Sequence, residues 1–315
     1  MRVCVMVEGQ EDVTWDQWLQ LGRATEEAGL EALFRSDHYL SVQGHPERGS
    51  LDAWATLAAL AQATTRIRLG TLVSPVTFRH PSLLAKMVVT VDHVSGGRVE
   101  LGIGAGWHQP EHTAYGFPFP SQGDRLAMLE EQIEIIRRSW EPGILDFSGR
   151  HYRVEGLQAL PKPVQRPHPT VIIGGSGGPR SAAVAARWGD EYNTTFVSAE
   201  ECRKRREGVA RVWEAAGRDP ATLVFSLMTA ALVGRDRPEL LGRARSVMAH
   251  QGETGSEDAW LEGNRWIGVA GTIDQAAAGL HDFQAAGVDR VMLQLRQHHD
   301  VELVGLLGEV AAQVR

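Results

Sequence analysis

Three short segments of this 315-residue chain end in residues able to do chemistry. The first is Leu101-Gly102-Ile103-Gly104-Ala105-Gly106-Trp107, an apolar run that enters a glycine-spaced turn and stops at a tryptophan. Glycines at alternate positions leave room for a flat ligand to lie against the backbone. The second, Phe34-Arg35-Ser36-Asp37-His38, puts a carboxylate and an imidazole in succession after an apolar run. Those are the residue types of a general acid–base or hydrogen-bonding pair; the alternative is a turn capped by Asp37 beside a loop histidine. The third is Ile172-Ile173-Gly174-Gly175-Ser176-Gly177-Gly178, just before Pro179 and a helical pattern. Successive glycines let backbone N–H groups converge, and a helix start adds a positive dipole end; together they suit a phosphate, and the alternative is a flexible connector. Arg180, in the first helical turn, is either a charge contact to such a phosphate or a surface residue. The remaining histidines, among them His80, His108, His112, His298 and His299, follow no tight ligand spacing, and no metal site is expected.

These segments need a frame that brings strand ends together. Short β-rich apolar runs fall at residues 2–7, 32–34, 67–70, 99–103, 170–173, 192–194, 223–233 and 289–293. Helical patterns fall at 15–28, 50–63, 81–93, 125–140, 180–188, 200–216, 238–250, 273–286 and 301–314. Eight strands alternating with helices predict an α/β fold, a (β/α)8 TIM barrel spanning residues 1–315 as one domain; a doubly wound open sheet is the second choice. Residues 141–168 and 251–271 exceed ordinary loop length and are read as insertions at the C-terminal face, acting as lids or specificity loops. The first of them contains an expected hairpin, 145–147 with 152–154. In a barrel the chemistry sits where strand C-termini become loops, and all three segments fall there. Asp92-His93 is a similar pair in type but precedes the fourth strand, so it is read as structural; Trp15, Trp18 and Trp188 are read as helix packing residues.

Composition narrows the function classes. The chain is 43% hydrophobic and 23% charged with a net charge of −7, which suits a globular enzyme and disfavours nucleic-acid binding. Only three lysines occur, so arginine carries nearly all the positive charge. The two cysteines, Cys4 and Cys202, form neither a disulfide framework nor a metal spacing. No apolar run reaches membrane-spanning length, and the first residues read as a strand; a cytoplasmic protein without membrane partners is expected.

The ordered set of motifs resembles the bacterial-luciferase-like oxidoreductases, and within them the branch using the deazaflavin coenzyme F420. The resemblance rests on Ala24-Thr25-Glu26-Glu27-Ala28-Gly29, Ser36-Asp37-His38, and the run from Ser95-Gly96-Gly97-Arg98 through Trp107. It extends over Ile173-Gly174-Gly175-Ser176-Gly177, Gly271-Thr272 and Ala286-Gly287-Val288-Asp289-Arg290. It implies a ring seated in the barrel mouth, with His38 as the catalytic or substrate-polarising residue and Asp37 beside it. It also implies a non-prolyl cis peptide behind the ring, expected between Thr71 and Leu72, with Ser74 bonded to the ring edge. Ala105 and Gly106 would lie along the coenzyme, and Gly174, Gly175, Ser176 and Gly177 would hold its phosphate. Relatives that oxidise sugar phosphates carry a glutamate where this chain has Trp107, which puts that substrate in doubt and makes Trp107 a substrate-pocket wall. Glu111 and His112, one turn on, are either polar contacts or solvated. The implied activity is F420-dependent hydride transfer between the deazaflavin C5 and a small organic substrate, by a chain that dimerises as relatives often do. The alternatives are an FMN-dependent monooxygenase using O2 and a non-catalytic flavin-binding barrel.

Overall fold

The computed structural model describes residues 1–264 and 267–314; Arg265 and Trp266, within the 251–271 stretch, lie outside the described residues, as does Arg315. In chain order the strands are β1 (Arg2–Val7), β2 (Ala32–Arg35), β3 (Arg68–Thr71), β4 (Ser74–Pro75), β5 (Val99–Gly104), β6 (Leu145–Ser148), β7 (Arg153–Leu157), β8 (Thr170–Gly174), β9 (Glu191–Thr195), β10 (Val224–Gly234), β11 (Val269–Thr272) and β12 (Arg290–Leu295). The helices are α1 (Trp15–Glu27), α2 (Ala53–Ala63), α3 (Pro81–Ser95), α4 (Gln109–Tyr115), α5 (Gln122–Trp140), α6 (Pro179–Trp188), α7 (Ala199–Ala215), α8 (Arg237–His250), α9 (Glu257–Gly263), α10 (Ile273–Ala285) and α11 (Val301–Gln313).

The strands β1, β2, β3, β5, β8, β9, β10 and β12 pair in parallel in that order, and β12 pairs back onto β1. The chain is therefore a closed (β/α)8 barrel, not an open doubly wound sheet. Its helices start where the sequence supplies caps. Thr14 and Gln17 form a capping box on α1, Pro81 occupies the first turn of α3, and Gly96 ends α3 at φ 66°.

Period-two alternation sends one residue set of each strand into the barrel and the other onto the helices. The inward set is tiered. At the N-terminal end, Arg290 meets Glu100 at 2.7 Å, Glu191 at 3.2 Å and Glu31 at 2.9 Å; Arg290, Glu100 and Glu191 are buried and Glu31 is partly exposed. Above it Met6, Phe34, Ile172 and Met292 pack together. The next inward positions along the same strands, Glu8, Ser36, Leu72, Gly104, Gly174 and Gln294, border open space.

The exit of β3 is pressed against β5. A Cβ on Gly102 would collide with the Thr71 carbonyl, and one on Gly104 would lie 2.8 Å from Val73 Cγ2. Gly102 thus admits the neighbouring chain and not a flat ligand, which corrects the reading drawn from its spacing, while Gly104 packs against Val73 and also borders the cavity. The non-prolyl cis peptide lies in this segment but joins Leu72 to Val73, one residue beyond the bond between Thr71 and Leu72 that the resemblance implied.

The two long stretches part company. Residues 141–168 connect the C-terminal end of α5 to the start of β8, so they belong to the opposite face from the strand C-termini. Their hairpin, β6 with β7, is held outside the barrel by Glu131, which accepts from the backbone of Arg150, His151 and Tyr152, while Asp92 takes the N–H groups of Val164 and Gln165. None of these residues lines the central cavity, so the lid reading of 141–168 is not what the fold builds. Asp92 is the anchor it was expected to be. Residues 251–271 carry α9 and β11, and β11 extends the C-terminal end of β10.

The Gly102 contact gives a direct test. Gly102→Ala is expected to cost about 3 kcal/mol, because the β3 exit has no slack. Gly305→Ala, on α11 with open space around it, is expected to stabilise by up to about 1 kcal/mol. Urea-denaturation midpoints compare the two, and matching midpoints would mean that the Thr71 carbonyl does not fill the Gly102 position.

Candidate active site

A cavity of about 630 Å³ opens at the C-terminal ends of the strands. Its walls come from most strand ends in turn, with Glu8 following β1, His38 following β2, Leu72 and Val73 following β3, and residues 104–107 closing β5. Gly174, Gly175 and Ser176 follow β8 on the other side. Met228, Val42, Val73 and Phe196 make much of the surface apolar. Phe196 follows β9 at φ 50°, a left-handed conformation uncommon for an aromatic residue, and its N–H donates to the Met228 carbonyl.

His38 and Asp37 face different ways, as successive residues of an extended chain must. His38 borders the cavity, and its Nδ1 lies 2.6 Å from Glu111 Oε1. The second oxygen of Glu111 accepts from the Tyr39 N–H at 3.0 Å. Burial alone would depress the His38 pKa, but the hydrogen bond and charge of Glu111 outweigh it and raise the pKa above the ordinary imidazole value. The Trp107 ring stands edge-on to His38 with centroids 5.7 Å apart; 63% exposed, Trp107 borders the cavity.

Asp37 is turned into the protein. It receives Arg79 through two contacts, 2.6 and 3.1 Å, and the Ser74 hydroxyl at 2.6 Å. Ser74 in turn accepts from Trp54 Nε1 and lies 3.3 Å from Thr71 Oγ1, whose hydroxyl donates to the Gly102 carbonyl. Arg79 also reaches Tyr39 Oη at 2.7 Å and Asp52 at 3.0 Å. Burial works against the Arg79 charge, yet Asp37, Tyr39 and Asp52 hold its pKa above the ordinary guanidinium value. Asp37, Thr71 and Ser74 therefore form a buried network behind the wall and do not border the cavity, whereas Leu72, Ala105 and Gly106 do.

In the glycine loop, two N–H groups are already engaged. Gly175 donates to the Asn193 carbonyl at 2.9 Å, and Gly177 to the Tyr192 hydroxyl at 2.8 Å. Gly177, at φ 84°, lies against the stem of Arg205 and away from the cavity. What the loop offers a ligand is the Ser176 end, next to the N-terminus of the ten-residue α6.

Several cavity residues were not singled out from the sequence. Glu8, Gln43, Asn193, Gln294 and Arg296 all border it. A systematic reading of the residues just beyond each strand would have found Glu8 and Arg296. Glu111 was weighed only as a polar contact; 73 positions separate it from His38, and nothing local announces their pairing. His112, beside it, is spent on the fold, with Nε2 2.6 Å from Thr77 Oγ1 and Nδ1 2.8 Å from the His108 carbonyl. Among the described residues there is no cluster fit to hold a metal ion.

A family model described as luciferase-like monooxygenase matches residues 2–315, and the chain belongs to that family. It is 30% identical over 288 residues to an F420-dependent glucose-6-phosphate dehydrogenase of Amycolatopsis mediterranei, covering 85% of this chain and 84% of that one. It is 31% identical over 233 residues to an F420-dependent hydroxymycolic acid dehydrogenase of Mycobacterium tuberculosis, covering 74% of this chain and 63% of that one. Among solved structures, an F420-dependent secondary alcohol dehydrogenase in complex with an F420-acetone adduct superposes with a TM-score of 0.82 over the whole of both chains at 20% identity, a likeness of fold.

The two faces of the wall differ in what a substitution does. Asp37→Ala leaves a buried Arg79 short of its main partner and is expected to cost about 3 kcal/mol. Ser176→Ala, at the exposed rim, is expected to stay within about 0.5 kcal/mol of the parent. Thermal or urea unfolding of both variants checks this; an Asp37→Ala protein as stable as the parent would free Asp37 for a role in ligand binding.

Proposed function

We propose that this member of the luciferase-like monooxygenase family is an F420-dependent oxidoreductase that moves hydride between the deazaflavin and a small organic substrate, with His38 as the catalytic acid–base. The observation that carries the reading is the placement of His38 on the cavity wall, its pKa raised, across the barrel mouth from the Gly174-Gly175-Ser176 end of the glycine loop. The relatives named F420-dependent dehydrogenases support the coenzyme. The cavity is of a size for a ring system and a small second molecule, and its residues fit the group. Leu72, Val73, Ala105 and Gly106 would hold the ring, and Ser176 with the α6 N-terminus would hold the phosphate.

When bound, the deazaflavin supplies hydride chemistry at its C5. The chain supplies the rest. His38 gives a proton to the substrate oxygen as a carbonyl is reduced, or takes it as an alcohol is oxidised, and exchanges that proton with solvent afterwards. Val42, Trp107, Phe196 and Met228 exclude water and contact the apolar part of the substrate. An apolar ketone or secondary alcohol suits such a wall better than a sugar phosphate, because Trp107 brings no charge to the position.

Two measurements on the purified protein test this. Titration with F420, followed by quenching of the nine tryptophans, is expected to saturate, whereas FMN is expected to bind weakly. A preference for FMN would move the assignment to oxygen chemistry. His38→Ala is expected to lower turnover about 100-fold or more while F420 binding holds. Equal losses in turnover and binding would make His38 a binding residue and leave the proton transfer without its agent.

A further inference from the structure

Glu111 is a buried carboxylate whose surroundings leave it one use. It lies on α4 with its side chain only 1% exposed, and among the described residues its sole ion-pairing partner is His38. A carboxylate taken out of water is costly unless hydrogen-bonded and paired. Here one oxygen is 2.6 Å from His38 Nδ1 and the other accepts the Tyr39 N–H at 3.0 Å, so a single group grips both the ring and the backbone that follows it. The helix is itself pinned to the barrel wall. His112 bridges Thr77 and the His108 carbonyl, and Tyr115 Oη donates to the Tyr39 carbonyl at 3.3 Å. The carboxylate cannot drift from the imidazole without unseating α4.

We infer that Glu111 is a positioning residue that keeps the proton of neutral His38 on Nδ1 and turns Nε2 toward the cavity. An ionised carboxylate accepts only, so the ring nitrogen facing it must carry hydrogen. The remaining nitrogen is then the one that can exchange a proton with a substrate, and the carboxylate stabilises the imidazolium formed when it does. Three other ionisable groups act on the ring through their charge. Glu8 follows β1 and Asp37 precedes His38 in the chain, both favouring its charged form, while His108 at the start of α4 opposes it. Asp37 is committed to Arg79, and Glu8 accepts from Gln10 at 2.7 Å and from Gln294 at 2.5 Å. Neither is bonded to the ring.

This inference rests on the acid–base role given to His38 above, and its test separates the two. Histidine-labelled protein is followed by 15N NMR without coenzyme, the His38 signal being assigned by its loss in His38→Ala. In the parent, neutral His38 is expected to show a protonated Nδ1 and a bare Nε2. A parent protein with the proton on Nε2 overturns the inference outright, with no variant needed. In Glu111→Gln, close in shape but uncharged, the midpoint of the His38 titration is expected to fall by about one pH unit, and the single tautomer should give way to a mixture. An unchanged midpoint and tautomer overturn the inference. In turnover assays with F420, Glu111→Gln is expected to lose about 10- to 100-fold in kcat, with F420 binding unchanged and the pH-profile limb that reports His38 moved to lower pH. Glu111→Asp, which keeps the charge, is expected to hold the parent midpoint more closely. An NMR response to Glu111→Gln combined with full turnover in His38→Ala would uphold the positioning and overturn the catalytic reading.

Discussion

The barrel mouth depends on a close approach between two strands. The Thr71 carbonyl occupies the position that a side chain at Gly102 would need, and Val73 fills the one at Gly104. That approach lets Leu72 and Val73 swing across the top of the barrel and become cavity wall. The Thr71 hydroxyl, bonded to the Gly102 carbonyl, ties the turn to β5 and passes the constraint to Ser74 and thence to Asp37. The glycine-spaced turn so visible in the sequence is first a packing device between strands. From Gly104 on, where β5 ends, it becomes a surface for a ligand.

Two carboxylates close to His38 meet opposite fates, and geometry decides which. Asp37 is adjacent in sequence, and for that reason faces away. It meets a buried arginine, and the pair with its satellites Tyr39, Asp52 and Ser74 makes a rigid base under the loop after β2. Glu111 is remote in sequence, and reaches the ring because α4 folds back over the same loop. The base fixes the backbone on both sides of His38, and the second carboxylate fixes the ring. A histidine at a loop start is otherwise free to rotate; here its freedom has been removed from two directions.

The barrel was legible in the sequence because parallel strands buried on both faces read as short continuous apolar runs, and six of the eight here end at or just before a glycine or a charged residue. All eight barrel strands lie where those runs predict them. The two short helices were not legible. α4 begins Gln109-Pro110-Glu111-His112, with no apolar period, and its face is buried through Glu111 and His112, polar residues whose partners belong to distant parts of the chain. α9 is equally short, with Trp260 its one buried residue. The 141–168 stretch misled for a different reason. Length marks an insertion but not the face of the barrel it occupies. The order of the elements settles that, since the stretch leaves a helix and enters a strand, and such connections belong to the N-terminal face. Within the site, His38, Trp107 and the glycine loop were legible as strand-end residues, whereas the split between Asp37 and Glu111 was not, because sequence adjacency suggests contact where strand alternation forbids it.

The tiers inside the barrel show why stability and chemistry can sit so close together. The floor holds one arginine among Glu31, Glu100 and Glu191. Burial opposes the Glu100 charge, but Arg290 and Arg68 outweigh it and hold its pKa below the ordinary range; burial raises that of Glu191, helped by the neighbouring Glu100 charge. The two carboxylates facing Arg290 are thus pushed in opposite directions, Glu100 toward its charged form and Glu191 away from it. Met6, Phe34, Ile172 and Met292 lie above it and separate it from the cavity. His38 has no such layer between itself and the open mouth, and its single buried partner leaves one side of the ring to the cavity. Glu100 and Glu191 at the floor are buried against Arg290, whereas His38 at the mouth borders the cavity, and that asymmetry is what allows a proton to be exchanged there while the fold below stays unchanged.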